Sequence, residues 1–113
     1  MTDSCVFCRI AQGDIPAVII AENAGAIAFR DLGPQAPTHV LVVPRLHIES
    51  LNALHDAGLA SELLELARRV AEIEGIARDG YRVVINTGTN GGQSVVHLHL
   101  HVLGGRRLAW PPG

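Results

Sequence analysis

The run His97-Leu98-His99-Leu100-His101-Val102-Leu103 alternates imidazole with aliphatic side chains. A period of two belongs to an extended strand, where residues two apart share a face. The pattern predicts a strand over 97–103. His97, His99 and His101 would line one side, roughly 6–7 Å apart. Leu98, Leu100 and Val102 would turn the other way, into a core. The chain has six histidines in all, so half of them stand on this strip. A strand with a solvated polar face accounts for one such histidine; three in register point to a site.

The rest of the composition bounds what that site can be. A chain of 113 residues has room for one domain, taken as 1–113. Apolar residues make up 48%, enough for a packed core, while aromatics are only 4%, so Leu, Val, Ile and Ala must fill it. The net charge is −2 and no run of Lys or Arg occurs. A nucleic-acid groove binder normally carries a basic face, so nucleic acid is not an expected partner. No apolar run reaches the ~20 residues of a membrane span. The opening Met1-Thr2-Asp3-Ser4-Cys5 has no leader character. A cytoplasmic location is the expectation, and there Cys5 and Cys8 are unlike a structural disulfide pair.

Working outward from the histidine strip, Cys5 to Ala11 reads as a short helix stopped at Gly13. Val18–Ala21 and Ala26–Phe29 read as two strands around Glu22-Asn23-Ala24-Gly25. Pro34 and Pro37 force a loop. His39–Val43 is a third strand, ended by Pro44. Leu59, Leu63, Leu66, Val70 and Ile73 recur at helical spacing, forming one stripe of an amphipathic helix that stops at Gly75. Tyr81–Thr87 is a fourth strand and the histidine run a fifth. The predicted fold is α+β: a five-stranded antiparallel sheet with one long helix on its apolar face and a short N-terminal helix.

Several residues carry chemistry. Gly91-Gly92-Gln93-Ser94 runs straight into the histidines, and successive glycines let backbone N–H groups converge on an anion. There is no P-loop and no G-x-G-x-x-G. A neutral imidazole can attack phosphorus if a second group holds its other N–H, and a neighbouring imidazole can donate to the phosphoryl oxygens. This scheme needs no cofactor. Asp31, at a strand end, can accept two ribose hydroxyls. Phe7 and Phe29 can flank a base. Cys5-Val6-Phe7-Cys8 has zinc-knuckle spacing and lacks two ligands, for which His39, His47, His55 and the three clustered histidines are candidates.

The run His97 to Leu103 matches the histidine-triad signature, and the chain resembles the histidine-triad superfamily of nucleotide hydrolases and transferases. It is most similar to the purine-nucleoside phosphoramidase branch. Supporting stretches are Ile15-Pro16-Ala17, Phe29-Arg30-Asp31, Pro34 to His39, Gly91 to Val95, Leu103 to Arg106 and Trp110-Pro111-Pro112-Gly113. The resemblance implies His99 as nucleophile on the α-phosphate of a purine nucleoside phosphoramidate (AMP or GMP type). It implies His101 and Ser94 on the phosphate, with His97 orienting the His99 ring. Phe7, Phe29, Arg30 and Leu32 match the base pocket and Asp31 the ribose carboxylate. Asn86, Gly92, Gln93 and Val95 line the phosphate and ribose side, and His39 supports from behind. A homodimer with a ten-stranded sheet is implied, Trp110 reaching the partner's site. Members with the Cys pair bind structural zinc through residues that correspond to Cys5, Cys8, His47 and His97. Val96 departs from the aromatic common there.

His101, where the transferase branch carries Gln, favours hydrolysis. The alternatives are a dinucleoside polyphosphate hydrolase, which the Trp-Pro-Pro-Gly tail argues against, and a weakly active nucleotide-binding interaction module.

Overall fold

The structure is a computed structural model that describes residues 4–113; Met1-Thr2-Asp3, the start of the stretch read for a leader, lies outside the described residues. Five strands form one antiparallel sheet: β1 (Ile19–Glu22), β2 (Ala26–Arg30), β3 (Thr38–Pro44), β4 (Tyr81–Val84) and β5 (Leu100–Gly104). Their order is β1-β2-β3-β5-β4, so the histidine-bearing strand lies between β3 and β4. The short helix α1 spans Val6–Ala11 and the long helix α2 spans Ala57–Ile73.

Strand β3 divides the molecule. All seven of its residues are buried, because both faces of the sheet are covered. Val40 and Val42 point to one side and join Leu59, Leu63, Leu66, Val70, Leu98, Leu100 and Val102 in the main core under α2. Leu41 and Val43 point to the other and join Phe7, Ile27 and Phe29 under α1. Leu41 pairs with His101 across the β3–β5 ladder, which puts the histidine face on the α1 side.

Helix α2 begins where Asp56 caps it, its Oδ1 accepting the Leu59 N–H at 3.1 Å. It ends at Gly75, whose φ of +73° suits glycine. Its buried stripe is Leu59, Leu63, Leu66, Ala67, Val70 and Ala71. Ile73, expected on that stripe, is exposed; the chain turns at Gly75 and Ile76 enters the core instead.

The histidine strand is shorter than its alternation predicts. Pairing begins at Leu100, so only His101 of the three lies within β5. The competing hydrogen bonds explain this. Pro44, which would lie opposite Leu98, has no N–H, and its carbonyl accepts from the His97 ring. The His97 carbonyl accepts from the His99 ring. Alternation of the side chains persists without the ladder: His97 and His99 are buried on one side, Leu98 and Leu100 on the other. β4 likewise stops short of Thr87: its pairing ends at Val84, opposite His101, one residue before the Leu100 end of β5.

Candidate functional site

Helix α1 and the chain after it make the site. Phe7 packs edge-on against Phe29, with ring centroids 5.6 Å apart, and against His99 at 5.1 Å. Beside them lies a cavity of about 370 Å³, at the small end of the range for ligand pockets. Its apolar wall includes Phe7, Ile10, Phe29, Leu32 and Val95; its polar groups are Arg30, Asp31, Ser94, His99 and His101. Ile10 and the Ile15-Pro16-Ala17 segment were not among the expected contacts. The signal for Ile10 was present, since Phe7 and Ile10 stand three apart on one helical face. A wider, open depression of about 660 Å³ between the β1–β2 turn and α2 is lined by Arg45, Asp56 and Glu62 and has no histidine, cysteine or serine in its lining.

Hydrogen bonds define which nitrogens carry protons. The His97 carbonyl lies 2.7 Å from His99 Nδ1. A carbonyl only accepts, so Nδ1 bears the proton and Nε2 keeps its lone pair. At His39 the argument runs the other way. The Gln35 N–H donates to His39 Nδ1 at 3.0 Å, so the His39 proton sits on Nε2. That nitrogen is 2.8 Å from His101 Nδ1 and 3.4 Å from Asp31 Oδ2. His101 accepts at Nδ1 and carries its own proton on Nε2, which is buried and has no partner among the described residues. The cavity is therefore bordered by one imidazole able to attack and another able to donate. Burial, reinforced by the neighbouring His99 and His39, pushes the His101 pKa down to about 4 despite Asp31. Burial likewise lowers His39 and His97.

Asp31 is held in place by its own loop: Oδ1 accepts the Gly33 N–H at 2.8 Å. The Arg30 guanidinium is paired bidentately with Glu74, at 2.7 and 2.9 Å, so its head is committed to the end of α2. Gln93 braces the glycine loop. Its Oε1 accepts from Gly88 N–H, and its amide donates to Glu49 and Val95 carbonyls at 2.7 and 3.0 Å. Within that loop the amides of Gly92 and Gln93 donate to Thr89 and Gly88 carbonyls. Gly91 has to be glycine, because a Cβ there would lie 2.3 Å from the Thr87 carbonyl oxygen. Asn86, Gly92, Gln93 and Trp110 do not line the cavity of their own chain. Trp110 is 80% exposed, under the Arg82 guanidinium.

Behind Phe7, the His97 ring turns toward the two cysteines. Its Nε2 donates to the Pro44 carbonyl at 2.9 Å, which directs the Nδ1 lone pair at the cysteines. That Nδ1 is 3.3 Å from Cys5 Sγ, 3.5 Å from Cys8 Sγ and 3.2 Å from His47 Nδ1. His47 Nδ1 is 3.3 Å from Cys8 Sγ. Four ligand-type atoms thus lie within 4.8 Å of one another. A tetrahedral zinc with bonds of about 2.05 Å to nitrogen and 2.3 Å to sulfur needs ligand atoms about 3.3–3.8 Å apart. The donor set fits. His97 also has the backbone partner that a metal-bound imidazole typically shows. His39 and His55 stand outside this set. Asp31, His39 and His101 form a second close group, but the Gln35 donation leaves a proton on His39 Nε2, so that nitrogen has no lone pair for a metal.

The sequence matches the HIT domain over residues 12–108. It is 49% identical to an uncharacterised HIT-like protein of Synechococcus elongatus, over the whole of both chains. Among solved structures, a HIT family hydrolase from Legionella pneumophila superposes with a TM-score of 0.93 at 48% identity, covering 97% of this chain and all of that one. A histidine triad nucleotide-binding protein from Candida albicans gives 0.84 at 29% identity, covering 96% and 83%. Matched across nearly its full length in sequence and in fold, the chain belongs to the HIT family.

Proposed function

We propose that this chain hydrolyses the P–N bond of purine nucleoside 5′-phosphoramidates through a covalent nucleotidyl-histidine. The observation that carries the reading is the pair of opposite proton placements beside one cavity: a lone pair on His99 Nε2 and a proton on His101 Nε2. Relatives named as hydrolases and as a nucleotide-binding protein support it.

The base lies against Phe7, Phe29 and Leu32, and Asp31 accepts the ribose hydroxyls. His99 Nε2 attacks the α-phosphorus; the phosphorus–nitrogen bond to the amine breaks, and the departing amine takes the Ser94 Oγ–H proton, which solvent water restores. His101 Nε2–H donates to a phosphoryl oxygen as charge builds. Water then cleaves the phosphorus–histidine bond, releasing the nucleoside monophosphate and restoring His99. The roles of Asn86, Gly92, Gln93 and Val95 are to hold the phosphate loop against this centre, and Arg30 closes the base side through its pair with Glu74.

Cys5, Cys8, His47 and His97 would hold a zinc ion, which, bound by four protein ligands, would supply stability rather than take part in the reaction. Two chains associate through the unpaired edge of β4, where Tyr81 and Val83 are exposed. This places Trp110 of one chain at the partner's cavity. No helix among the described residues is long and apolar enough to cross a membrane, and a Cys5–Cys8 pair that forms no disulfide suits a reducing cytoplasm.

Turnover of adenosine phosphoramidate and of diadenosine tetraphosphate, measured side by side, tests the reading. Faster cleavage of the phosphoramidate is expected. Preferential cleavage of the dinucleotide, or binding of AMP with no turnover of either, would overturn it.

A further inference from the structure

We propose that Arg106 is a positioning residue: its guanidinium fixes the Gln35 backbone and thereby sets which nitrogens of His39 and His101 carry their protons. The inference rests on the proposed hydrolytic reading for its kinetic consequence, though not for its structural one.

The contacts form a chain. Arg106 Nη2 donates to the Gln35 carbonyl at 3.0 Å. The N–H of the same residue donates to His39 Nδ1 at 3.0 Å. Gln35 is thus gripped on both of its flanking peptides, by the tail after β5 on one and by a buried imidazole on the other. His39 passes the constraint to His101 at 2.8 Å, and His101 Nε2 is the orphan donor beside the cavity. The loop has other supports. Gln35 Nε2 donates to the Gly33 carbonyl and the Gly33 N–H to Asp31 Oδ1. The tail is brought against the loop at Gly105, where a Cβ would lie 2.9 Å from Pro37 Cβ and where φ is +87°. That approach is what lets an exposed arginine reach a backbone that serves a buried imidazole.

The chemistry follows from having one proton per neutral ring. If the Gln35 N–H drifts from His39, the His39 proton can move to Nδ1 and Nε2 becomes an acceptor. His101 then donates from Nδ1 to His39, and its Nε2 faces the cavity as a lone pair. A lone pair there repels phosphoryl oxygens that the native proton would hold. Asp31 Oδ2, 3.4 Å from His39 Nε2, favours the native arrangement. Loss of Arg106 therefore shifts the population of the two arrangements and does not invert it completely.

The test is the protonation pattern itself, read from long-range ¹H–¹⁵N correlations of the histidine rings in the full chain. In the parent, His39 and His101 should each show a protonated Nε2 and an unprotonated Nδ1. In Arg106→Ala, the Nδ1 and Nε2 ¹⁵N shifts within each of these two rings should converge, as expected of exchange between tautomers, with the His99 pattern unchanged. Arg106→Lys, which keeps one donor, should lie between. On adenosine phosphoramidate, Arg106→Ala should lower kcat roughly tenfold with KM within about twofold. Parent-like ring shifts in Arg106→Ala overturn the proposal, whatever the rate does. Should Arg106→Ala fail to fold, the Arg106→Lys shifts decide, and parent-like values again overturn it. A parent enzyme inert toward the phosphoramidate would refute the substrate assignment while leaving the ring measurement decisive.

Discussion

His97 serves His99 through its backbone and the cysteine pair through its ring. The carbonyl accepts the His99 Nδ1–H at 2.7 Å, while Nδ1 of the ring lies 3.3 Å from Cys5 Sγ and the opposite nitrogen donates to Pro44. The residue that fixes the tautomer of the His99 ring is therefore itself tied into the Cys5–Cys8–His47 cluster. A buried imidazole fully removed from solvent costs little here, since both of its nitrogens are engaged.

Stability should fall as pH drops from about 6.5 toward 4. The His101 pKa is pushed down to about 4 in the fold, against about 6.5 in an unfolded chain. Between those values the unfolded state binds a proton that the folded state refuses, so folding loses free energy as acid is added. Below about 4 this contribution is spent. His39 and His97, also lowered by burial, act in the same direction. Because His101 is only partly shielded, screening cuts its share to about 1–2 kcal/mol. Urea midpoints measured from pH 7 to 4 check this. His101→Asn should flatten the slope.

Metal content should follow the four-ligand cluster. Chain purified from zinc-containing medium should carry one zinc per chain, and Cys8→Ser should carry much less. Stripping the ion should lower Tm by about 10 °C or more, given the stabilisation expected of a ligand well above its Kd. Elemental analysis and a melting scan on the same samples check both. A Cys8→Ser variant with parent zinc content would remove Cys8 from the ligand set.

Trp110→Ala should leave the fold of its own chain almost unperturbed, because within that chain the side chain is exposed and such positions contribute within about 0.5 kcal/mol. If the partner's tail completes the cavity, kcat/KM should still fall several-fold. Equal kcat/KM in the two proteins would confine Trp110 to its own chain.

The sequence made the two-faced character of residues 97–102 readable, since alternation alone separates the histidines from the aliphatic core. The end of the strand was not readable from alternation. Pairing stops at Leu100 because ring nitrogens of His97 and His99 capture carbonyls that a ladder would otherwise use, and period-two patterning carries no trace of that competition. The exposure of Ile73 was hidden for a related reason: helical spacing continues past the point where the chain leaves the core. In the site, Cys5, Cys8, Asp31 and the histidines could be named from residue type. Gln35 and Arg106 could not, because they act through backbone groups, which every residue has.

The most direct measurement is a rapid-quench mass analysis of the chain mixed with adenosine phosphoramidate. A nucleotidyl mass should appear transiently on the peptide that carries His99. It should be absent from His99→Ala, whose turnover should fall at least ~10³-fold while AMP still binds. An adduct on any other residue, or a His99→Ala variant that turns over at the parent rate, would contradict the account.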